Sequence, residues 1–188
     1  AFAEDYDELI FPGCGTSLYL AQAAAHAFSS YNAIPSKAVC CSELYYFPET
    51  FVKNRKVLVL PITRKSYTTE VRMAIDKVRS YPGVKSLAIT CDQDSALYND
   101  FMILSPDTAE DSVIMTRSFT SMVYLAAVMA MYAGGKKDEI AAMAGYGDSA
   151  RDALKKMDDL AKSIITEHEE LNLFITLGQG INYGVANE

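Results

Sequence analysis

An α/β sandwich on a parallel sheet is the fold this sequence predicts, on three observations. Short apolar runs alternate with helical patterns from Leu9 to Leu104. One of them, Val57-Leu58-Val59-Leu60-Pro61-Ile62, is apolar almost throughout, as a strand buried on both faces must be. Loops rich in glycine or hydroxyls then join strand to helix, at the carboxyl ends of strands where such sheets hold ligands.

The chain has 188 residues, 50% of them hydrophobic and 22% charged, enough for one domain or one domain plus a fragment. A net charge of −7 excludes a general nucleic-acid surface, which needs clustered cations, so any anion must be held locally. Cys14, Cys40, Cys41 and Cys91 show no CxxC spacing and there are only two histidines, so no metal site and no disulfide framework are expected. Buried free thiols in a reducing cytoplasm are the reading. Ser118 to Gly135 carries no charge, but its apolar part is only Met122 to Ala133, a buried core helix and not a membrane span. The N-terminus, Ala1 to Asp5, has no basic region and no apolar signal core.

In order, Leu9-Ile10-Phe11 is the first strand. It runs into Pro12-Gly13-Cys14-Gly15-Thr16-Ser17 and a helix from Leu18 to about Ser30. Leu18 stands at the third glycine position of a dinucleotide fingerprint, which leaves a nucleotide site weakly supported, and no cofactor is expected. His26 reads as a satisfied, partly buried helix residue. Ala38 to Cys41 is a second strand, and Glu43 to Phe51 a turn and helix whose Tyr45, Tyr46 and Phe47 read as core or interface. After the central apolar strand come Val84 to Thr90 and Phe101 to Leu104, which makes five strands.

The central strand breaks off into Thr63-Arg64-Lys65-Ser66-Tyr67-Thr68-Thr69-Glu70, after which Val71, Ala74, Ile75 and Val78 recur at helical spacing. A helix that starts inside a hydroxyl-rich loop is suited to phosphate, because its first N–H groups and its dipole converge there. The plainer reading makes Thr68 an N-cap and Lys65 a solvated charge. Glu110 to Thr120 forms a polar loop that enters the apolar helix. A short helix near Asp138 to Ala144 and a long amphipathic one from about Ser149 to Leu171 follow, with Leu154, Met157, Leu160, Ile164 and His168 along one stripe. The end repeats the beginning, with Leu173 to Leu177 as a strand that runs into Gly178-Gln179-Gly180. Gly13, Gly15 and Ala21 reappear as Gly178, Gly180 and Ala186, each 165 positions on (178 − 13), so 172–188 reads as the opening of a second, similar domain in a chain that is a fragment.

These motifs resemble the SIS (sugar isomerase) domain family, which includes the isomerase half of glucosamine-6-phosphate synthase and the tagatose-6-phosphate or aminosugar-phosphate ketose-aldose isomerases. Gly13-Cys14-Gly15-Thr16-Ser17 looks like the family's first loop. Thr63 to Glu70 looks like its Ser-Arg-Ser-Gly-x-Thr-x-Glu phosphate loop, and Glu110 to Thr120 like its Glu-x-x-x-x-x-Thr-x-x-Phe-Thr segment. The resemblance implies a flavodoxin-like, three-layer sandwich with a five-stranded parallel sheet. It implies a first SIS domain over 1–135, a helical connector over 136–171 and the truncated start of a second SIS domain over 172–188.

By the same resemblance, a phosphorylated hexose or aminohexose is the partner, with no nucleic acid or membrane; the apolar Met122 to Ala133 helix and the long stripe from Ser149 to Leu171 predict a homodimer or an intrachain pseudo-dimer, in the cytoplasm that the thiols suggest. Its phosphate is held by Gly15, Thr16, Ser17, Thr63, Arg64, Lys65, Ser66 and Thr68, beside a substrate pocket of Cys14, Glu110, Val113 and Ile114. Lys65 stands for the family's Ser and Ser66 for its Gly, so Lys65 either binds phosphate or fills the pocket. The implied activity is aldose-ketose isomerisation of a sugar phosphate or aminosugar phosphate. The family's base lies in and beyond the first helix of a second domain, where this chain offers only Glu188, so the fragment is expected to lack the catalytic base and to bind without turnover. A noncatalytic phosphosugar sensor is the alternative.

Overall fold

Residues 5–188 are described by a computed structural model; Ala1 to Glu4, part of the stretch read as lacking an export signal, lie outside them. Six parallel strand segments make one sheet: β1 (Glu8–Gly13), β2 (Ser36–Cys40), β3 (Val57–Val59), β4 (Ile62–Thr63), β5 (Val84–Thr90) and β6 (Phe101–Leu104). β3 pairs with β1 and β5, while β4 pairs with β5 alone. The two are successive parts of one line, so the sheet has five positions in the order β2, β1, β3/β4, β5, β6. The apolar run read as a single strand is interrupted at Leu60-Pro61, because proline has no N–H for the ladder. Neighbouring groups bridge the gap: the Leu60 N–H donates to the Ile10 carbonyl at 2.7 Å, and the Ile89 N–H to the Pro61 carbonyl at 2.9 Å.

The period-2 rule sorts the strand residues between two cores. Leu9, Phe11, Leu58 and Leu60 face one side, while Ile10, Val57 and Val59 face the other. The first core is covered by α1 (Thr16–Tyr31) and α5 (Arg117–Ala133), which contribute Leu20, Phe28, Phe119 and Met122. The second lies under α2 (Cys41–Tyr46), α3 (Pro48–Val52) and α4 (Thr69–Val78), through Leu44, Val52, Val71 and Ile75. This is the three-layer sandwich. Each fully buried aliphatic side chain contributes about 1.5–3 kcal/mol relative to exposure. From β1 the chain passes through α1 to β2 on one side, while β3 lies on the other. The crevice at this switch point opens at the carboxyl ends of β1 and β4.

Several local expectations differ from what is observed. The turn-and-helix at 43–51 is two short helices, α2 and α3, with Tyr46 and Phe47 at the exposed corner between them; only Tyr45 packs on the core. His26 is exposed. After α6 (Lys137–Met143), α7 runs over Tyr146–Glu167 and buries no residue, so its apolar stripe lies open. The segment 173–177, read as a strand, is in no regular element, and Leu173, Phe174, Ile175 and Leu177 are exposed. A strand needs a neighbour to take up its N–H and C=O groups, and none stands beside it among the described residues. No helix among the described residues is long and apolar enough to cross a membrane.

Candidate functional site

The first wall of the crevice is the glycine loop. A Cβ at Gly13 would collide with the Ser17 carbonyl, and Gly15 has φ 55° and ψ −133°, a backbone that side chains disfavour. The turn closes through Ser17 N–H to the Cys14 carbonyl at 3.1 Å and Leu18 N–H to the Gly15 carbonyl at 2.8 Å. No side chain caps α1, and its first turn holds no acidic residue, so the positive end of a 16-residue helix faces the crevice. The Thr16 hydroxyl donates to Glu188 Oε1 at 3.2 Å.

The second wall is the hydroxyl loop between β4 and α4, and it is tied internally. Thr63 Oγ1 donates to the Lys65 carbonyl at 2.9 Å. Ser66 is buried, and Asp92 Oδ2 accepts both its N–H at 3.0 Å and its hydroxyl at 2.6 Å. The Ser66 carbonyl in turn accepts the Tyr98 hydroxyl at 2.7 Å. Those two Ser66 bonds hold the Asp92 carboxyl below its usual range, against a burial that pushes it up, with the Lys65 charge adding to the lowering. Thr68 begins α4 without a side-chain cap bond, so the N-cap reading of its hydroxyl is not realised; its Oγ1 sits 3.5 Å from the Lys65 carbonyl. Lys65 Nζ lies 5.5 Å from the Tyr67 ring centre and 4.0 Å from Asp111 Oδ1.

A third segment, 109–116, folds over the hydroxyl loop. Arg64 donates to the Ser112 carbonyl at 2.5 Å. Between the two lies a cavity of about 260 Å³, lined by Arg64, Lys65, Tyr67, Asp92, Glu110 and Asp111 together with Cys91 and Ala109. Glu110 serves α5: its oxygens accept the amides of Thr116, Arg117 and Ser118 and the hydroxyls of Thr116 and Ser118. The Ser118 hydroxyl is the largest cause of a carboxyl held down to about 2. The folded value is depressed, so this stabilisation is present above the ordinary 4.5 and is lost as pH falls toward 2. Glu110→Gln should therefore lower the melting temperature at neutral pH and flatten its decline across that acid window. Melts over the range check this, and a variant whose acid decline is as steep as the parent's would contradict it.

Of the residues read from sequence, Arg64, Lys65 and Glu110 line this cavity. Thr63, Ser66 and Thr68 build the loop beside it, and Cys14, Gly15, Thr16 and Ser17 form the neighbouring strand end. Val113 and Ile114 are 94% and 69% exposed and do not line it. Glu188 reaches Thr16 from α8 (Ile181–Asn187), which packs along α1. Asp92 was missed. The signal available for it was an acidic residue just past the carboxyl end of a buried strand.

The SIS domain family model matches residues 4–132, more than half of the chain. Glutamine--fructose-6-phosphate aminotransferase [isomerizing] of Bacillus subtilis (strain 168) is 24% identical over 197 aligned residues, covering 100% of this chain and 32% of that protein. The same-named protein of Pyrococcus horikoshii is 26% identical over 190, covering 97% and 31%. Among solved structures, the C-terminal domain of glucosamine-fructose-6-phosphate aminotransferase from Francisella tularensis superposes with a TM-score of 0.79 at 21% identity, covering 97% of this chain and 54% of that one. Glucosamine-6-phosphate deaminase from Thermotoga maritima gives 0.78 at 24%, covering 96% and 55%, and tagatose-6-phosphate ketose/aldose isomerase from Escherichia coli gives 0.74 at 19%, covering 96% and 51%. The chain spans about a third of those two curated relatives and about half of these structures, which share its parallel α/β fold. With its loops, sheet order and sequence in agreement, the chain belongs to the SIS domain family.

Proposed function

We propose that this chain is the phosphosugar-binding unit of an aldose-ketose sugar-phosphate isomerase or of an aminosugar-phosphate isomerase or deaminase. The observation that carries the reading is the convergence of two strand-loop-helix junctions, after β1 and after β4, on one switch-point crevice. The phosphate of a hexose or aminohexose is held there by amides of the glycine loop and of the Arg64 to Tyr67 loop, by the hydroxyls of Thr16, Ser17 and Thr68, and by Lys65. Thr63 and Ser66 act by fixing the loop, their hydroxyls being bonded within it, whereas the exposed Thr16 hydroxyl exchanges its bond to Glu188 for one to the phosphate. Anchoring a dianion at one end of a flexible sugar places its reacting carbons, an effect worth several kcal/mol, up to roughly 7–11.

Isomerisation also needs a base to move a proton between C1 and C2. Asp92 and Glu110 are committed to Ser66 and to the α5 amides and Asp111 stands beside Lys65; the acid-base group we propose is Glu188, the acidic residue of this chain at the helix where the resemblance puts the family's base. The same commitments favour the second reading, a noncatalytic phosphosugar sensor. The experiment that separates them is a thermal-shift panel of hexose and aminohexose phosphates followed by assays for ketose formation. Stabilisation with turnover, by this chain or by one extended through a second SIS domain, supports the enzyme; stabilisation with neither chain turning over supports the sensor; no stabilisation sinks both.

We further propose a division into a first SIS domain over 1–135, a helical connector over 136–171 and the opening of a second over 172–188. The local geometry at the end supports it. Gly180 has φ 64° and ψ −132°, close to Gly15, and the Asn182 and Tyr183 amides bond to Gln179 and Gly180 as Ser17 and Leu18 bond to Cys14 and Gly15. A cytoplasmic setting accords with four free thiols. The open α7 stripe, Leu154, Met157, Leu160 and Ile164, supports a homodimer. Light scattering at high concentration should give twice the chain mass, and Leu160→Glu should shift it to one; a monodisperse parent monomer would contradict the proposal.

A further inference from the structure

Gly13 and Cys40 are the last register pair of β1 and β2, and each is followed by a cysteine. Two neighbouring parallel strands, about 4.8 Å apart, thus deliver Cys14 and Cys41 to the same end of the sheet. Cys41, the first residue of α2, is fully buried in the core shared with α4, and Cys14 packs against that core from a half-buried position. The strand register and the shared core put the two sulfurs side by side, where the Cys41 thiol is placed to donate a hydrogen bond to Cys14. That bond draws the Cys14 thiol below its usual value, against burial and the Glu70 charge, while the same bond and burial push Cys41 up. Cys14 also sits before the uncapped start of α1, an electropositive place that favours a thiolate. One thiol is therefore accessible and nucleophilic, and its neighbour is proton-bearing and sheltered. The proposed sugar site does not require either property.

We propose that Cys14 is a peroxide-reactive thiol and that Cys41 resolves it into an intrachain disulfide joining the ends of β1 and β2. The Cys14 thiolate attacks one oxygen of hydrogen peroxide, the O–O bond breaks, and the departing hydroxide takes up a proton to leave as water. Cys14 is then a sulfenic acid. The Cys41 sulfur gives up its proton and attacks the Cys14 sulfur, the S–O bond breaks, and a second water leaves. In sum, two thiols lose two hydrogens and one peroxide becomes two waters. The bridge draws Cys14 toward the core and takes Gly15 and the first turn of α1 with it. A transient bond of this kind is the form that disulfides usually take in a reducing compartment.

The test is mild hydrogen peroxide on the reduced chain, read by intact mass and peptide mapping. The expected product has lost two hydrogens, links the Cys14 and Cys41 peptides, and reverts with dithiothreitol. It should form equally in Cys40→Ser and be absent in Cys14→Ser. Cys41→Ser should halt at a Cys14 sulfenic acid that dimedone captures, or carry it on to the sulfinic acid. Because Cys41 is buried and its replacement can impair folding, dimedone trapping on the parent chain during the first moments of oxidation gives the same information. A bridge between Cys14 and Cys40, a parent chain in which Cys14 gains oxygens while Cys41 stays free, or four thiols untouched would each overturn the proposal.

Discussion

Lys65→Glu is expected to abolish phosphosugar binding by this chain, a loss on the order of 100-fold or more, because like charges brought together at a recognition site cost several kcal/mol. Among the described residues, the Lys65 ammonium is held only by the Tyr67 ring and a 4.0 Å approach to an exposed Asp111, an ion pair of a class worth little. Its ammonium is free to turn toward an incoming dianion. A glutamate there would stand with Asp92, Glu110 and Asp111 around one small cavity and repel the ligand. Lys65→Ser is the finer variant. It should weaken binding about tenfold, the scale of one hydrogen bond to a charged group, and reduce the salt dependence of the affinity. Titration calorimetry with a hexose 6-phosphate at two salt concentrations reads both. Tighter binding by Lys65→Ser would mean that the lysine fills the pocket.

The glycine loop should be as intolerant, for two separable reasons. Gly13→Ala places a methyl against the Ser17 carbonyl, which is backbone and cannot turn aside. Overpacking of this kind costs about 1–3 kcal/mol or more, and the junction of β1 and α1 must shift to relieve it. Gly15→Ala meets no atom within 4 Å, so its cost is conformational. A side chain at φ 55° and ψ −133° is strained by roughly 1–3 kcal/mol. Both variants should melt lower. Gly13→Ala should also lose phosphosugar affinity outright, since it moves the amides that start α1. Melts and titrations of the two variants check this, and a Gly13→Ala chain that binds like the parent would remove the glycine loop from the site.

The sheet was legible because burial on both faces leaves a simple mark: Val57 to Ile62 and Val84 to Thr90 are read without reference to any distant residue. The two loops were legible for a related reason, since a strand that ends in glycines or hydroxyls before a helix is a local pattern. What escaped depends on partners far away in sequence. Asp92 becomes part of the loop only because β5 lies beside β4 and brings its carboxylate to Ser66, 26 residues earlier. Glu110 reads as a pocket residue in sequence and lines the cavity, but its bonds to the α5 amides, made by the turn from 110 to 118, were not legible there. The apolar run 173–177, ahead of a glycine loop like that after the first strand, predicts a strand, but strand formation is a property of a pair, and no partner stands beside that segment among the described residues. His26 was expected to be partly buried, whereas it lies on the outer side of α1, with its Nε2 about 3.0 Å from where a Cβ on Gly180 would stand.

The central claim is the place of the phosphate, and a crystal structure of the chain with bound glucosamine 6-phosphate or fructose 6-phosphate tests it most directly. The account places the phosphorus between the glycine loop and the Arg64 to Tyr67 loop, within hydrogen-bonding reach of Thr16 or Ser17 and of Thr68, with the Lys65 ammonium turned from Asp111 toward it. Electron density for the sugar phosphate elsewhere, such as the groove between α5 and α7, with the two loops unchanged and without ligand, would contradict it.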